Sequence, residues 1–247
     1  METREKDGKM TEQVMIKKGE KISDDEREIM KRVLSEPANE VLEMLEQYDV
    51  LMMRYDSAIR EVRTKLEVLN DELSLTSAQS PISSIQSRRK KTASIIDKLK
   101  KLDKELTIES IIANLNDVAG IRVICRFVDD IYKIARMLAR QDDIKLIEVK
   151  DYIKNPKPNG YRSYHMIVEV PVFFASGKVL MRVEVQIRTI AMDFWANLEH
   201  QMKYKQDIEE ADVIMAELKE CADTIADTDL RMLSIRDKIK DVKTKAN

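Results

Sequence analysis

The scarcity of glycine places the tightest limit on what this chain can fold into. Its 247 residues include only five glycines, at positions 8, 19, 120, 160 and 177. These positions are too far apart to form a GxGxxG fingerprint or a P-loop, so any nucleotide that binds must be held by side chains. The only two histidines, His165 and His200, are not followed by Asp, which excludes HExxH and HD metal motifs.

Composition indicates a globular protein whose charges act locally. Hydrophobic residues make up 43% of the chain, enough for a core. Net charge is only −2 although 36% of residues are charged, which argues against a nucleic-acid coat or a membrane-surface binder driven by overall charge. Cys125 and Cys221 form neither a disulfide framework nor a CxxC site, and a cytoplasmic location is expected. The sequence contains no run of eighteen apolar residues, so no membrane span is predicted.

The hydrophobic pattern changes along the chain and predicts an α+β fold. Residues 1–38 mix both charge signs without an apolar period and are expected to form a mobile charged tail. From Asn39, apolar residues recur every three or four positions to Leu73, and a second long helix is expected over 208–244. Between them, alternation predicts strands at 121–127, 145–150, 164–174 and 179–188. We therefore expect one domain over 39–247, a mixed β-sheet flanked by helices.

The last of these strands has the clearest division into an apolar face and a polar face. One face carries Val179, Met181, Val183, Val185 and Ile187, and the other carries Arg182, Glu184, Gln186 and Arg188. Successive side chains of a strand point to opposite faces, so the polar set is expected to share one surface. Trp195 follows in the apolar pattern of the next helix and is expected in the core.

The segment KDYIKNPKPNGYRSYH, residues 150–165, is the strongest candidate for a binding loop. Two prolines stiffen it and Gly160 permits a turn, so Lys157, Asn159 and Tyr161 can be held toward a ligand. Lysines suit phosphates and an aromatic ring suits a base. An ordinary surface loop, a half-buried tyrosine and a structural His165 remain open alternatives.

Two acidic residues are candidates for a magnesium site. Asp117 lies in the turn before one strand, and Glu184 lies within another. Mg²⁺ is usually held by one or two carboxylates, with water and substrate phosphates completing its shell. The alternatives are that Glu184 pairs with Arg122 or Arg182, and that Asp117 caps a turn.

Basic side chains cluster before and within one helix. The cluster comprises Arg88, Arg89, Lys90, Lys91 and Lys98, and Arg122 shares a strand face with Arg126. Guanidinium planes stack on bases and bind phosphates. A solvated surface or a weak nucleic-acid patch is the competing interpretation.

Taken in order, the segments SRRK, DVAGIRV, KDYIKNPKPNGYRSYH and VEVQIRTIAMDFWANLEH resemble the RelA/SpoT-type alarmone synthetase domain, over roughly residues 40–235. The absence of an HD hydrolase motif resembles the stand-alone small alarmone synthetases. The resemblance implies a nucleotidyltransferase-like fold and a Mg²⁺-dependent GTP diphosphokinase of the stringent response. Such enzymes transfer the β,γ-diphosphate of ATP to the ribose 3′-hydroxyl of GTP or GDP, giving AMP and pppGpp or ppGpp.

The resemblance also assigns site residues. Glu184 and Asp117 resemble the magnesium ligands, and Glu184 the residue that accepts the proton of the attacking hydroxyl. The ATP-side residues that it implies are Arg88 and Arg122, which sandwich adenine, with Lys90, Ser94 and Lys98 on the phosphates. The GTP- or GDP-side residues are Tyr161, which stacks on guanine, with Lys150, Lys157, Asn159, His165, Gln186, Arg188, Asn197 and His200.

Some expectations depart from the family or stay open. Ser87 stands where many members have Gly. The segment SPISSIQ lacks the Phe and Thr-Gly pattern associated with allosteric pppGpp binding in one branch of the small synthetases, so activation by the product stays open. Homotetramers are the family's habit and suit the terminal helices, whereas RNA binding has no support. The rival functions are pyrophosphate transfer to another acceptor, such as an adenine nucleotide or the 3′ end of tRNA, and a non-catalytic nucleotide- or RNA-binding module.

Overall fold

The computed structural model describes residues 38–76, 80–203 and 211–246. All but the last residue of the predicted tail lie outside this part of the chain, as do residues 208–210 of the predicted last helix. The chain divides into two compact units, Met1–Asp49 and Val50–Asn247. The predicted boundary between tail and domain stays a prediction.

A mixed sheet, largely antiparallel and flanked by helices, confirms the predicted α+β fold class. The helices are α1 (Ala38–Thr76), α2 (Thr92–Lys101), α3 (Ile108–Asn114), α4 (Val128–Ala139), α5 (Ile190–Lys203) and α6 (Ala211–Ala246). The strands are β1 (Ile82–Arg89), β2 (Ala119–Cys125), β3 (Lys145–Asp151), β4 (Tyr164–Phe174) and β5 (Gly177–Thr189). Within the described ranges, no helix combines the length and apolar character needed to cross a bilayer.

The sheet has the strand order β1-β2-β5-β4-β3. Strands β2 and β5 run parallel, and every other neighbouring pair is antiparallel. The sheet is therefore mixed, as predicted, with one more strand than expected. The extra strand is β1, an edge strand whose side chains are mostly exposed, so the basic segment SRR showed no apolar alternation.

One face of the sheet is packed into the core. Val183, Val185 and Ile187 of β5 are buried, which confirms the predicted apolar face. Helix α4 lies against β2, β4 and β5 and buries Ile131, Ile134 and Leu138. The opposite face of the central strands stays open and carries polar side chains.

Helix α5 buries a narrower stripe than the sequence predicted. Trp195 is buried, which confirms its expected place in the core, and its indole N–H donates to the Leu218 carbonyl of α6 at 2.9 Å. The other apolar side chains of the expected stripe are exposed, from 41% for Leu198 to 59% for Phe194. The exposed set is Ile190, Phe194, Leu198 and Met202.

Candidate active site

A row of polar side chains crosses all five strands on the open face of the sheet. The pairing register aligns Gln86 of β1 with Arg122 of β2, Arg122 with Gln186 of β5, Gln186 with His165 of β4, and His165 with Lys150 of β3. Residues directly opposite each other on neighbouring strands share a face and contact one another. Four of these five residues were predicted from sequence, and Gln86 was not.

A second row, one step along the strands, begins with Arg88. Arg88 is opposite Gly120, and Gly120 is opposite Glu184. The missing side chain of Gly120 leaves room for Arg88, whose Cγ lies 3.4 Å from the place a Cβ would occupy. Arg88 and Arg122 are diagonal neighbours across β1 and β2, about 7–8 Å apart at the backbone, which leaves space for one flat ring between them.

These residues line the first of two clefts, which we call the donor cleft. It is lined by Gln86, Ser87, Arg88, Gly120, Ile121, Arg122, Glu184 and Gln186. Arg122 is held there by Asp193, with Nη1 3.7 Å from Oδ1. Burial lowers the pKa of Arg122, and the nearby charges of Arg188 and Arg88 lower it further. Its buried Nε finds no hydrogen-bond partner among the described residues, so one donor of this guanidinium is unsatisfied.

Lysines from β1's end and from α2 meet at Asp117. Lys90 Nζ and Lys98 Nζ each lie 2.8 Å from Asp117 Oδ2. Burial alone would raise the pKa of Asp117, but hydrogen bonds from the two lysines outweigh it and the pKa lies below its ordinary value. Ser94 is exposed in the first turn of α2, one helical turn before Lys98, and that turn contains no acidic residue. A helix N-terminus flanked by lysines is suited to a phosphate chain.

Asp117 has one unpartnered carboxylate oxygen that a cation could use. Its Oδ1 is buried and has no partner among the described residues, whereas Oδ2 carries both lysines. The charge of Asp117 raises the pKa of Glu184, so the two carboxylates lie close enough to interact. Across the described ranges, no group of three or more His, Cys, Asp or Glu could form a cage of protein ligands. Two carboxylates fit magnesium, which completes its shell with water and phosphate oxygens.

Glu184 lies where two clefts meet. It lines the donor cleft and also a second cleft, which we call the acceptor cleft. Gln186 Nε2 donates to Glu184 Oε2 at 2.9 Å, and His165 Nδ1 lies 3.3 Å from Oε1. Burial would raise the pKa of Glu184, but the hydrogen bonds from His165 and Gln186 hold it below its ordinary value. The expected alternative, an ion pair with Arg122 or Arg182, is therefore not the arrangement found.

The acceptor cleft gathers side chains from β3, β4 and the loop between them. It is lined by Glu148, Lys150, Tyr152, Lys157, His165, Ile167 and Glu184. Lys150 Nζ lies 3.1 Å from Glu148 Oε1. That hydrogen bond raises the pKa of Lys150, so the lysine is held charged at the mouth of the cleft.

Tyr161 is half-buried, and two cationic side chains lie close to its ring. Lys157 Nζ lies 5.0 Å from the ring centroid and Arg188 Cζ lies 5.1 Å from it. Lys157 is exposed and also lies 4.8 Å from the Tyr152 ring, whereas Arg188 is only 4% exposed. A base that stacks on Tyr161 must therefore replace Lys157, because Arg188 is fixed by burial.

The loop itself is fastened to the two C-terminal helices. Gly160 adopts φ +86°, and a Cβ there would lie 2.6 Å from Ala222 Cβ of α6. Arg162 Nη2 donates to Asp223 Oδ1 of α6 at 3.0 Å. Asn159 Nδ2 donates to Glu199 Oε1 of α5 at 3.0 Å, and its Oδ1 accepts from the Tyr161 N–H. In this structure Asn159 therefore shapes the loop, and its predicted contact with nucleotide stays a prediction.

The remaining predicted residues lie further from the clefts. Arg188 donates through Nη1 to Asp193 at 3.1 Å and through Nη2 to Tyr161 Oη at 2.6 Å. Asn197 donates to Asp193 at 2.9 Å on the exposed side of α5. His200 is exposed on the same helix, and neither it nor Asn197 lines either cleft.

Sequence reasoning missed Tyr152, Gln86 and Asp193. Tyr152 packs edge-on against His165, with ring centroids 5.2 Å apart, and lines the acceptor cleft. Asp193 connects Arg122, Arg188 and Asn197. The signal for Tyr152 was present in the loop KDYIKNPKPNGYRSYH. Gln86 is connected to the site only by the strand pairing, and Asp193 only by its side-chain contacts from α5.

Comparison with known proteins identifies the architecture. The region found in RelA/SpoT proteins matches residues 87–209. GTP pyrophosphokinase YwaC of Bacillus subtilis is 38% identical, over 79% of this chain and 93% of YwaC. GTP pyrophosphokinase YjbM of the same organism is 33% identical, over 79% of this chain and 91% of YjbM.

Solved structures agree with these relatives. The crystal structure of small alarmone synthetase 2 from Bacillus subtilis has a TM-score of 0.70 at 37% identity, covering 77% of this chain and 98% of that one. Small alarmone synthetase 1 of that organism, bound to its product pppGpp, has a TM-score of 0.72 at 32% identity, covering 79% and 99%. The chain therefore belongs to the RelA/SpoT family, among its small alarmone synthetases.

Proposed function

We propose that this protein transfers the β,γ-diphosphate of ATP to the ribose 3′-hydroxyl of GTP or GDP, giving AMP and pppGpp or ppGpp. The observation that carries the proposal is Glu184, which lines both the donor and the acceptor cleft. The relatives add support, because one solved neighbour holds pppGpp and the same protein was also solved with AMPCPP.

The donor cleft has the chemistry to hold ATP. Arg88 and Arg122 both line this cleft, and guanidinium planes stack well on purines. The phosphate chain then runs toward Lys90, Ser94 and Lys98 at the start of α2. Binding of ATP there draws the two lysines from Asp117 Oδ2 toward phosphate, which leaves that carboxylate free for another cation.

Asp117 and Glu184 would hold Mg²⁺. The unpartnered Asp117 Oδ1 and the electrostatic interaction between the two carboxylates support this assignment. Magnesium, when bound, offsets the negative charge that spreads over the transferred phosphoryl groups.

The acceptor cleft has the chemistry to hold a guanine nucleotide. The Tyr161 ring offers a stacking face once Lys157 leaves it, and the released lysine is free to meet phosphate. Lys150 adds a second cation, with His165 beside the ribose side of the cleft. Gln186 and Arg188 hold the surrounding side chains in place.

Glu184 is the proton acceptor of this scheme. A ribose hydroxyl is a weak nucleophile near neutral pH, and a positioned base contributes about 10²–10⁴ in rate. The hydrogen bonds that lower its pKa keep Glu184 ionised and ready to accept the proton. The remaining acceleration comes from in-line positioning and charge neutralisation by lysines and arginines.

One assay separates this function from its rivals. Purified protein is incubated with Mg²⁺, ATP labelled at the γ-phosphate, and GTP, GDP, AMP or tRNA in turn. Label on GTP or GDP with matching release of AMP supports the proposal. Label on AMP or tRNA selects a different acceptor, and no transfer to any acceptor leaves a binding module.

Glu184→Gln provides the matched control in that assay. It keeps the shape and the acceptor oxygen of the side chain but removes its capacity as a base. We expect less than about a tenth of the wild-type turnover. Turnover above that level would reject Glu184 as the base while leaving the reaction itself in place.

We also propose that the protein works in the cytoplasm as a homotetramer. The exposed apolar side chains of α5, and of α6 at Leu230, Ile235 and Ile239, support burial against other copies of the chain. Size-exclusion chromatography with light scattering tests the tetramer directly.

A further inference from the structure

Both carboxylate oxygens of Glu184 are held by hydrogen-bond donors that lead back to one guanidinium. His165 Nδ1 faces Oε1 at 3.3 Å, and Gln186 Nε2 donates to Oε2 at 2.9 Å. His165 Nε2 in turn lies 2.9 Å from Tyr161 Oη. Arg188 Nη2 reaches both branches, at 2.6 Å from Tyr161 Oη and 3.1 Å from Gln186 Oε1.

The two ends of this network set the direction of its hydrogen bonds. A guanidinium only donates, so the Tyr161 oxygen accepts from Arg188. The Glu184 carboxylate only accepts, which places the imidazole proton on His165 Nδ1; Nε2 of that tautomer then accepts the Tyr161 proton. In the other branch, Arg188 binds the Gln186 oxygen and so turns the amide nitrogen toward Glu184.

Arg188 is a rigid origin for this network. It is 4% exposed, Asp193 accepts from its Nη1 at 3.1 Å, and its Nε lies 3.4 Å from Ser163 Oγ. This hydrogen-bond network leaves Glu184 able to bind a metal ion or accept a proton, because each carboxylate oxygen keeps a second lone pair.

We propose that the Tyr161 hydroxyl is a positioning group for Glu184, acting through the tautomer of His165, and that this role is separate from stacking by the Tyr161 ring. The inference rests on the proposed role of Glu184 as the base. It assigns two tasks to one side chain: the ring holds the acceptor base, and the hydroxyl aims the catalytic carboxylate.

Tyr161→Phe and Tyr161→Ala separate the two tasks. The Phe variant keeps the ring, so the KM for GTP should stay within about twofold of wild type while kcat falls by about tenfold or more, the usual scale for groups that orient a catalytic shell. The Ala variant removes both the ring and the hydroxyl, so its KM for GTP should rise and its kcat should fall. A Phe variant with wild-type kcat, or one whose only defect is in KM, overturns the proposal.

Substitutions at His165 provide a second comparison. The amide nitrogen of Asn can replace Nδ1 and still donate to Glu184, whereas the longer Gln side chain reproduces the Nε2 end. We expect His165→Asn to retain more kcat than His165→Gln. Adding Tyr161→Phe to His165→Asn should cause no further loss of kcat, because the link is already cut; a full additional loss contradicts the coupling.

A spectroscopic test does not depend on activity. The chain has two histidines, so the imidazole ¹⁵N spectrum of the full-length protein contains only His165 and the exposed His200. His165 should show a single neutral form protonated at Nδ1, and Tyr161→Phe should give a mixture, while His200 stays unchanged. An Nε2-protonated His165 in the wild type rejects the network even if Glu184→Gln is inactive; an active Glu184→Gln enzyme with the expected tautomer rejects only the base.

Discussion

Replacement of Gly160 by Ala tests how the acceptor loop is held against α6. The new Cβ would stand 2.6 Å from Ala222 Cβ, a distance that real Cβ atoms essentially never show, and 3.2 Å from Lys219 Cα, which is tighter than most real contacts. The backbone at φ +86° adds a cost of about 1–2 kcal/mol for any L-residue. Overpacking adds about 1–3 kcal/mol, so the free energy of unfolding should fall by roughly 2–5 kcal/mol.

Gly177→Ala is the matched control. Gly177 also has positive φ, at +119°, but nothing lies within 4 Å of the place its Cβ would take. This variant should therefore show only the backbone cost of about 1–2 kcal/mol. Urea unfolding of both variants at one fixed protein concentration measures the difference, which is the steric part of the Gly160 effect.

Ala222→Gly identifies the contact responsible. Alone, it should cost about 1 kcal/mol as a glycine within a helix. Combined with Gly160→Ala, it should restore part of the lost stability. If Gly160→Ala is no more destabilising than Gly177→Ala, or if the two substitutions simply add, the loop is not held by this contact and the reasoning fails.

Two further perturbations probe the donor cleft and the packing of α6. Arg88→Ala should raise the KM for ATP by about tenfold through lost stacking, whereas Arg89→Ala, whose side chain pairs with Asp56 at 2.7 Å, should leave it unchanged; equal effects would refute the sandwich. Burial would raise the pKa of Asp129, but the paired hydrogen bonds from Arg236 hold it below the ordinary 3.8. Its contribution, less than about 1 kcal/mol for so exposed a pair, is complete above pH 3.8 and disappears as pH falls below it. Asp129→Asn should therefore destabilise the protein at pH 7, and its difference from wild type should shrink as pH falls below 3.8, as denaturant unfolding can verify.

Sequence periodicity was sufficient for the parts of the fold with one buried face. The alternation from Val179 to Ile187 predicted both the core face of β5 and the polar face that carries Glu184, because a strand's period is two. The edge strand β1 was not predicted as a strand, since an exposed strand has no apolar alternation. For the same reason Gln86 could not be connected with Arg122 before the register was known.

The site was less predictable than the fold because it depends on contacts between distant residues. The resemblance of four segments to a family identified candidate site residues. It did not predict that Asn159 donates to Glu199 or that Lys157 lies over the Tyr161 ring. The exposed stripe of Ile190, Phe194 and Leu198 was also beyond reach, since helical spacing alone does not say which apolar face a single subunit covers.

The parallel pairing of β2 with β5 divides the sheet into two contiguous stretches of chain. Residues 82–125 supply most of the donor cleft and residues 145–189 supply the acceptor cleft, and the two stretches join along a single seam from Gly120–Glu184 to Cys125–Thr189. Outside Glu184 and Gln186, which β5 contributes to the donor cleft, each stretch can therefore vary in sequence with little disturbance of the other. Evolution can retune which acceptor is used within one stretch while the machinery that grips the donor is inherited intact.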